Sequence, residues 1–379
     1  MEIWLTKVKK RLITMIYDTL GGIKAVIFTD VIQMAILLIG IVVCGGFALY
    51  HLGGWQEAVQ HIPVERLKAV DWHGHGLGDG KTFGFWPLVC GGFFLYVAYY
   101  GCDQSQVQRE LSAGSEDDVK RSLFFNGVFR FPIVLGYCTM GLLIGALLLK
   151  DPSFAAAVPE ESPDYLVPIF MMRYLPHGVI GLLVVAIFAA AMSSLDSALN
   201  SLSAASYHDL YQRYISPNPS VRESLMAAKL LTVFWGIVCT GFAFLVGTLG
   251  GTVIETINQI GSTFYGPIAA TFTLGMITRA AMNTSVKIGI LSGVVANLIL
   301  WTLFPQISWL WWNLIGFGMT FGVAYSLSLL QSTATDQHKM TVDLPHSPSQ
   351  VNWKPRYVFL GLYFVLIILI SYGISLLAT

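Results

Sequence analysis

Charge is the scarcest property of this chain. Lys, Arg, Asp and Glu make up 12% of its 379 residues, about half the share found in ordinary soluble domains. Twenty-two basic residues balance twenty-two acidic ones, so the formal net charge is zero. No basic run interleaved with aromatic rings occurs, so nucleic acid is not expected as a partner. Cysteine is sparse as well: Cys44, Cys90, Cys102, Cys138 and Cys239 all lie in hydrophobic blocks without metal-ligand spacing. They read as small apolar residues rather than as a disulfide framework or a zinc site. No Gly-x-Ser-x-Gly elbow is present, and no polar stretch is long enough to hold a soluble domain.

Hydrophobic residues, by contrast, make up 55% of the chain, in blocks longer than ~18 residues. The fold class is therefore all-α, a polytopic membrane protein. Nine spans are expected, at roughly 24–50, 84–104, 122–149, 177–206, 225–247, 252–278, 284–304, 308–330 and 356–378. Lys7 to Lys24, Arg109 with Lys120 and Arg121, Arg213 with Arg222, Arg279 with Lys287, and Lys339 with Lys354 and Arg356 collect on one side. That side is expected to be cytoplasmic. The C-terminus then lies outside a plasma (inner) membrane. Residues 1–20 carry Lys7, Lys9, Lys10 and Arg11 but no small-residue cleavage site, which argues against a cleaved leader.

Two outer features invite functional readings that their context weakens. His51, His61, Asp71, His73 and His75 fall in or beside a glycine-rich loop, but their spacing matches no standard metal signature. Trp309-Leu-Trp-Trp312 reads as part of an interfacial aromatic belt rather than a ligand platform.

The fourth span carries the chemistry. From Ala189 to Tyr211 a hydrophobic helix fills with serines and one carboxylate, Asp196. An acid at the centre of a span costs about 2.5–3.5 kcal/mol on the lenient scale, so such groups usually mark an ion or substrate path. Ala190, Ser193, Ser194, Ser197 and Ser201 recur at three- and four-residue steps and share one helix face. Small residues also let helices pack closely, and hydroxyls bond their own backbone. Spacing alone leaves the cation path and the packing face equally open. Asp30 sits near the start of the first span, where Lys24 is a potential partner, and Asn200 is one for Asp196.

Three segments resemble, in order and spacing, the sodium/solute symporter family. They are Gly21-Gly-Ile-Lys-Ala-Val-Ile-Phe-Thr-Asp-Val-Ile-Gln33, Tyr99-Tyr-Gly-Cys-Asp-Gln-Ser-Gln-Val-Gln-Arg109, and the Ala189–Tyr211 helix. The extra final span is similar to the sodium/glucose cotransporter-like branch. That resemblance implies two inverted five-helix halves holding solute and sodium near the midplane. The chain would form one transmembrane transporter domain over 1–379, with 24–50 as the fifth core helix. Residues 84–278 would form the second five-helix repeat, and 284–379 three peripheral helices. Most of the first repeat is then lacking, and the natural protein is expected to be longer by four or more N-terminal spans.

The resemblance also assigns roles. The Ala190 carbonyl and the Ser193 and Ser194 hydroxyls match the family's main sodium site, and hard oxygen suits a small hard cation. Asp30, Asp196 and Ser197 form a possible second cation site, or Asp196 takes a proton. Tyr99 matches a gate closing the solute site toward the cytoplasm. Tyr96, Tyr100 and Asn258 align with solute-facing positions, with core packing the alternative for Tyr96 and Tyr100. Arg130 aligns near a polar, basic family position, where it meets an anionic or hydroxylated solute or only snorkels to the inner face. Tyr96 and Asn258 depart from the usual Asn and Gln of sugar carriers. Asp103, Gln104 and Arg109 are expected to shape the end of the second span. The function implied is import of a small polar organic solute, such as a sugar or polyol, driven by sodium and working by alternating access in the bilayer. The alternatives are a non-transporting, sensor-like homologue and, less favoured, an intramembrane hydrolase.

Overall fold

The computed structural model describes residues 30–159, 163–246, 253–277, 283–331 and 351–377. A helix lies at each of the nine expected positions. These are α1 (Asp30–Leu52), α2 (Pro87–Gly101), α3 (Glu116–Lys150), α4 (His177–Ala205), α5 (Val221–Val246), α6 (Val253–Ile277), α7 (Asn283–Leu303), α8 (Trp309–Gln331) and α9 (Lys354–Leu377). Among the described residues, seven helices are long and apolar enough to cross a membrane, by length and composition. The other two differ for physical reasons. α2 is short and opens with a π-helical turn, Pro87–Gly91, whereas α6 is long enough but spends its first turns on Glu255, Asn258 and Gln259.

Local sequence sets several ends. Pro87 starts α2, where its missing N–H is no loss, and Pro176 immediately precedes α4. α4 does not stop at 206 but runs on as a π-helix over Ser206–Ile215. Asp103 accepts from Ser105 N at 2.8 Å and so caps the short helix Gln104–Glu110, in keeping with the role expected for it.

The chain divides into two compact units, Met1–Arg66 with Phe125–Thr252, and Leu67–Phe124 with Val253–Thr379. In the first, Leu52, Ile144, Phe154 and Phe170 are fully buried together. Lys150 Nζ donates to the Leu52 carbonyl at 2.6 Å and lies 3.7 Å from Glu57, tying the ends of α1 and α3. α4 and α5 are joined by polar groups: Ser203 Oγ donates to the Ala228 carbonyl at 2.9 Å, and Trp235 Nε1 to Ser206 Oγ at 2.8 Å. Where the surroundings are as apolar as leucine, such bonds and close packing replace the hydrophobic drive between helices.

In the second unit, α8 packs against α6 and α7 at very short range. A Cβ added to Gly266 would lie 2.1 Å from the Asn313 carbonyl, and one on Gly293 2.1 Å from Thr320 Oγ1. Pro267 stands inside α6 and offers no N–H to the Thr263 carbonyl one turn back. Asn297 of α7, fully buried, donates its Nδ2 to that carbonyl at 3.0 Å and so repairs the gap. Trp309 and Trp312 are only 7% and 3% exposed and pack with Leu95, Leu300 and Trp301. The belt expected at 309–312 is thus largely protein core, because the first turn of α8 is enclosed by neighbouring helices.

Candidate functional site

On α4 the expected oxygen-bearing face is real as a helix face, and its members differ in environment. Ala190 and Ser193 are half-buried, Ser194 is exposed, and Asp196 and Ser197 are buried at 1% and 7%. Ser193 Oγ donates to Asp30 Oδ1 of α1. The structure therefore brings Asp30 and Ser193 into contact across 163 residues of chain.

The hydroxyl protons show what each serine has left to offer. Ser197 Oγ donates to the Ser193 carbonyl at 3.0 Å, and Ser201 Oγ to the Ser197 carbonyl at 2.7 Å. This is the backbone bonding that spacing had left open. It occupies each hydroxyl's one proton. Asn200 Nδ2 donates to the backbone carbonyl of Asp196 at 3.2 Å. The Asp196–Asn200 pairing is therefore a helix bond, and the Asp196 carboxylate is buried with the serine face. A carboxylate meeting a hydroxyl, on a helix pair that carries further serine oxygens, is a donor set that suits a small hard cation.

The tyrosines of α2 part company. Tyr96 and Tyr100 stack at 6.1 Å between centroids. Both line an open apolar groove of about 1170 Å³ with Leu88, Phe93, Val97 and Phe364. Tyr99 is not part of that lining; Gln106 Nε2 donates to its hydroxyl at 2.9 Å, and its ring meets Tyr100 edge-on at 5.0 Å. Asn258 donates to the Ile254 carbonyl of its own helix at 2.7 Å. Arg130 is exposed on α3. Tyr96, Tyr99 and Tyr100 are thus together, while Asn258 is occupied with its own backbone and Arg130 lies on a separate helix.

Sequence reasoning passed over Gln106 and Gln33. Gln106 was within reach, since the Asp103 cap turns its helix back toward Tyr99. Gln33 sits one turn beyond Asp30, inside a motif already singled out.

Outside the spans, two networks fix the loops. Asp71 accepts from Lys81 Nζ at 2.5 Å and from the amides of His73 and Gly74, which hold its carboxyl below the ordinary range. Asp151 is held well below that range by the Ser153 hydroxyl and then by Tyr174. Burial, and then Asp151, pushes Tyr174 up to about 12. The loop carboxylates are engaged by amides, hydroxyls and a lysine, and among the described residues no group of three or more His, Cys, Asp or Glu could hold a metal.

The long apolar helices define a multi-pass membrane protein. The chain belongs to the sodium:solute symporter family, whose model matches residues 3–295. It is 29% identical to the sodium-dependent multivitamin transporter of Oryctolagus cuniculus over 306 residues, 78% of this chain and 46% of that one. It is 27% identical to the sodium/iodide cotransporter of Homo sapiens, over 79% of this chain and 46% of the relative. To sodium-coupled monocarboxylate transporter 1 of Homo sapiens it is 29% identical, over 78% and 48%. The chain spans about half the length of the curated relatives it matches. A solved sodium-coupled sialic acid symporter, in a substrate-bound outward-open state, shares its fold. The TM-score is 0.73 at 24% identity, over 86% of this chain and 66% of that one. The family is one of transporters, and the hydrolase alternative falls away.

Proposed function

We propose that this chain serves sodium-coupled symport of a small polar organic solute by alternating access. Ala190, through its carbonyl, and Ser193 and Ser194 hold the driving sodium ion. Asp30, Asp196 and Ser197 form a second cation position beside it. The observation that carries this reading is the Ser193–Asp30 contact between two apolar helices. A carboxylate at that depth is costly unless a cation or a donor answers it. Tyr96, Tyr99, Tyr100, Asn258 and Arg130 face the solute, with Tyr99 as the gate.

A sugar or polyol suits stacking on Tyr96 and Tyr100. A carboxylate-bearing solute is the second reading, favoured by Arg130 and by the monocarboxylate and sialic acid carried by relatives. The plasma (inner) membrane is the site of action, with the C-terminus outside. Uptake of labelled sugars and monocarboxylates into vesicles, with sodium or choline outside, tests both parts. Uptake that does not need sodium rejects the coupling, and the labelled class that accumulates decides between the solutes.

A further inference from the structure

α1 and α4 run antiparallel, and two contacts fix their register. Asp30 meets Ser193. Ten residues further along α1, a Cβ on Gly40 would lie 2.9 Å from Leu183, ten residues back along α4. Residue numbers facing one another therefore sum to about 223 (30 + 193 and 40 + 183). By that register Gln33 lies level with Ala190, whose carbonyl is a proposed sodium ligand.

Gln33 is also one turn from Asp30, so both project toward neighbouring parts of one helix face. Its Oε1 is shut off from solvent and accepts no hydrogen bond among the described residues. A carbonyl oxygen removed from water without a donor is costly, and a site that leaves one so is short of a partner. A hard monovalent cation between the Ala190 level and Asp30 supplies that partner. It takes the amide oxygen as a neutral ligand beside the carboxylate.

We propose that Gln33 is a further sodium ligand, its Oε1 completing the oxygen set of Asp30 and Ser193. This rests on the cation reading of the α4 face. The test needs no transport. The full chain is purified in detergent, and its melting temperature is followed as sodium chloride replaces choline chloride, for wild type, Ser193→Ala, Gln33→Leu and Gln33→Glu. Gln33→Leu should raise the sodium concentration at half-maximal stabilisation about tenfold or more, the expected scale for losing one bond to a charged group. Gln33→Glu, which keeps an oxygen and adds charge, should lower it.

A Gln33→Leu midpoint equal to wild type, while Ser193→Ala shifts, overturns the assignment of Gln33 and leaves the cation site standing. Midpoints unchanged in both remove the assignment and the cation site together. If Gln33→Leu does not fold, Gln33→Glu decides alone: a midpoint unchanged or raised overturns the assignment.

Discussion

Ser193 has one proton and gives it to Asp30. Replacing it by Ala removes a proposed ligand hydroxyl and one donor to the carboxylate, so apparent sodium affinity should fall by about ten- to a hundredfold. Asp30→Asn keeps the shape and loses the charge, and should weaken sodium at least as much. Sodium titrations of either variant check this. Just beyond the C-terminal end of α3, Asp151 gives a pH prediction. Its folded pKa is depressed by Ser153 and Tyr174. Its contribution is therefore present above the ordinary carboxylate pKa of about 3.9 and is lost as pH falls through the folded value. Wild type should melt above Asp151→Ala at pH 7, and the gap should close as pH drops below about 4. A gap that does not change with pH would show that the carboxylate's charge is irrelevant to its bonds with Ser153 and Tyr174.

At the level of helices, α6 depends on a repair made by another element. Asn297→Leu should cost about 1–3 kcal/mol, because the Thr263 carbonyl that Pro267 cannot serve is left buried without a donor. In a Pro267→Ala background the helix supplies its own N–H, so the same change should cost clearly less. A double-mutant cycle of melting temperatures reads the coupling. Gly266→Ala should also destabilise, by about 1–3 kcal/mol, since its methyl meets backbone at Asn313. The helices were legible because apolar blocks of span length are local signals. Ser193, Ser194 and Ser197 share a face by arithmetic alone. The Asp30–Ser193 contact and the Asn297–Thr263 bond were not legible, because tertiary packing brings together residues 163 and 34 positions apart. Trp309 and Trp312 misled for a related reason: tryptophan collects both at membrane interfaces and in tight helix junctions, and only the neighbours distinguish the two.

Across the whole molecule, the uneven distribution of Lys and Arg implies one orientation. An epitope tag after Thr379 should be reached by antibody on intact cells. A tag reached only after permeabilisation would reverse the topology.

At the same scale, a cation that binds only the folded state stabilises it, by about 2.7 kcal/mol at a hundredfold excess over Kd. Saturable binding of radioactive sodium to the purified chain in lipid nanodiscs tests the central claim most directly. The account predicts binding that choline does not displace and that Ser193→Ala and Asp30→Asn both weaken about tenfold or more. Identical isotherms for wild type and both variants would contradict it.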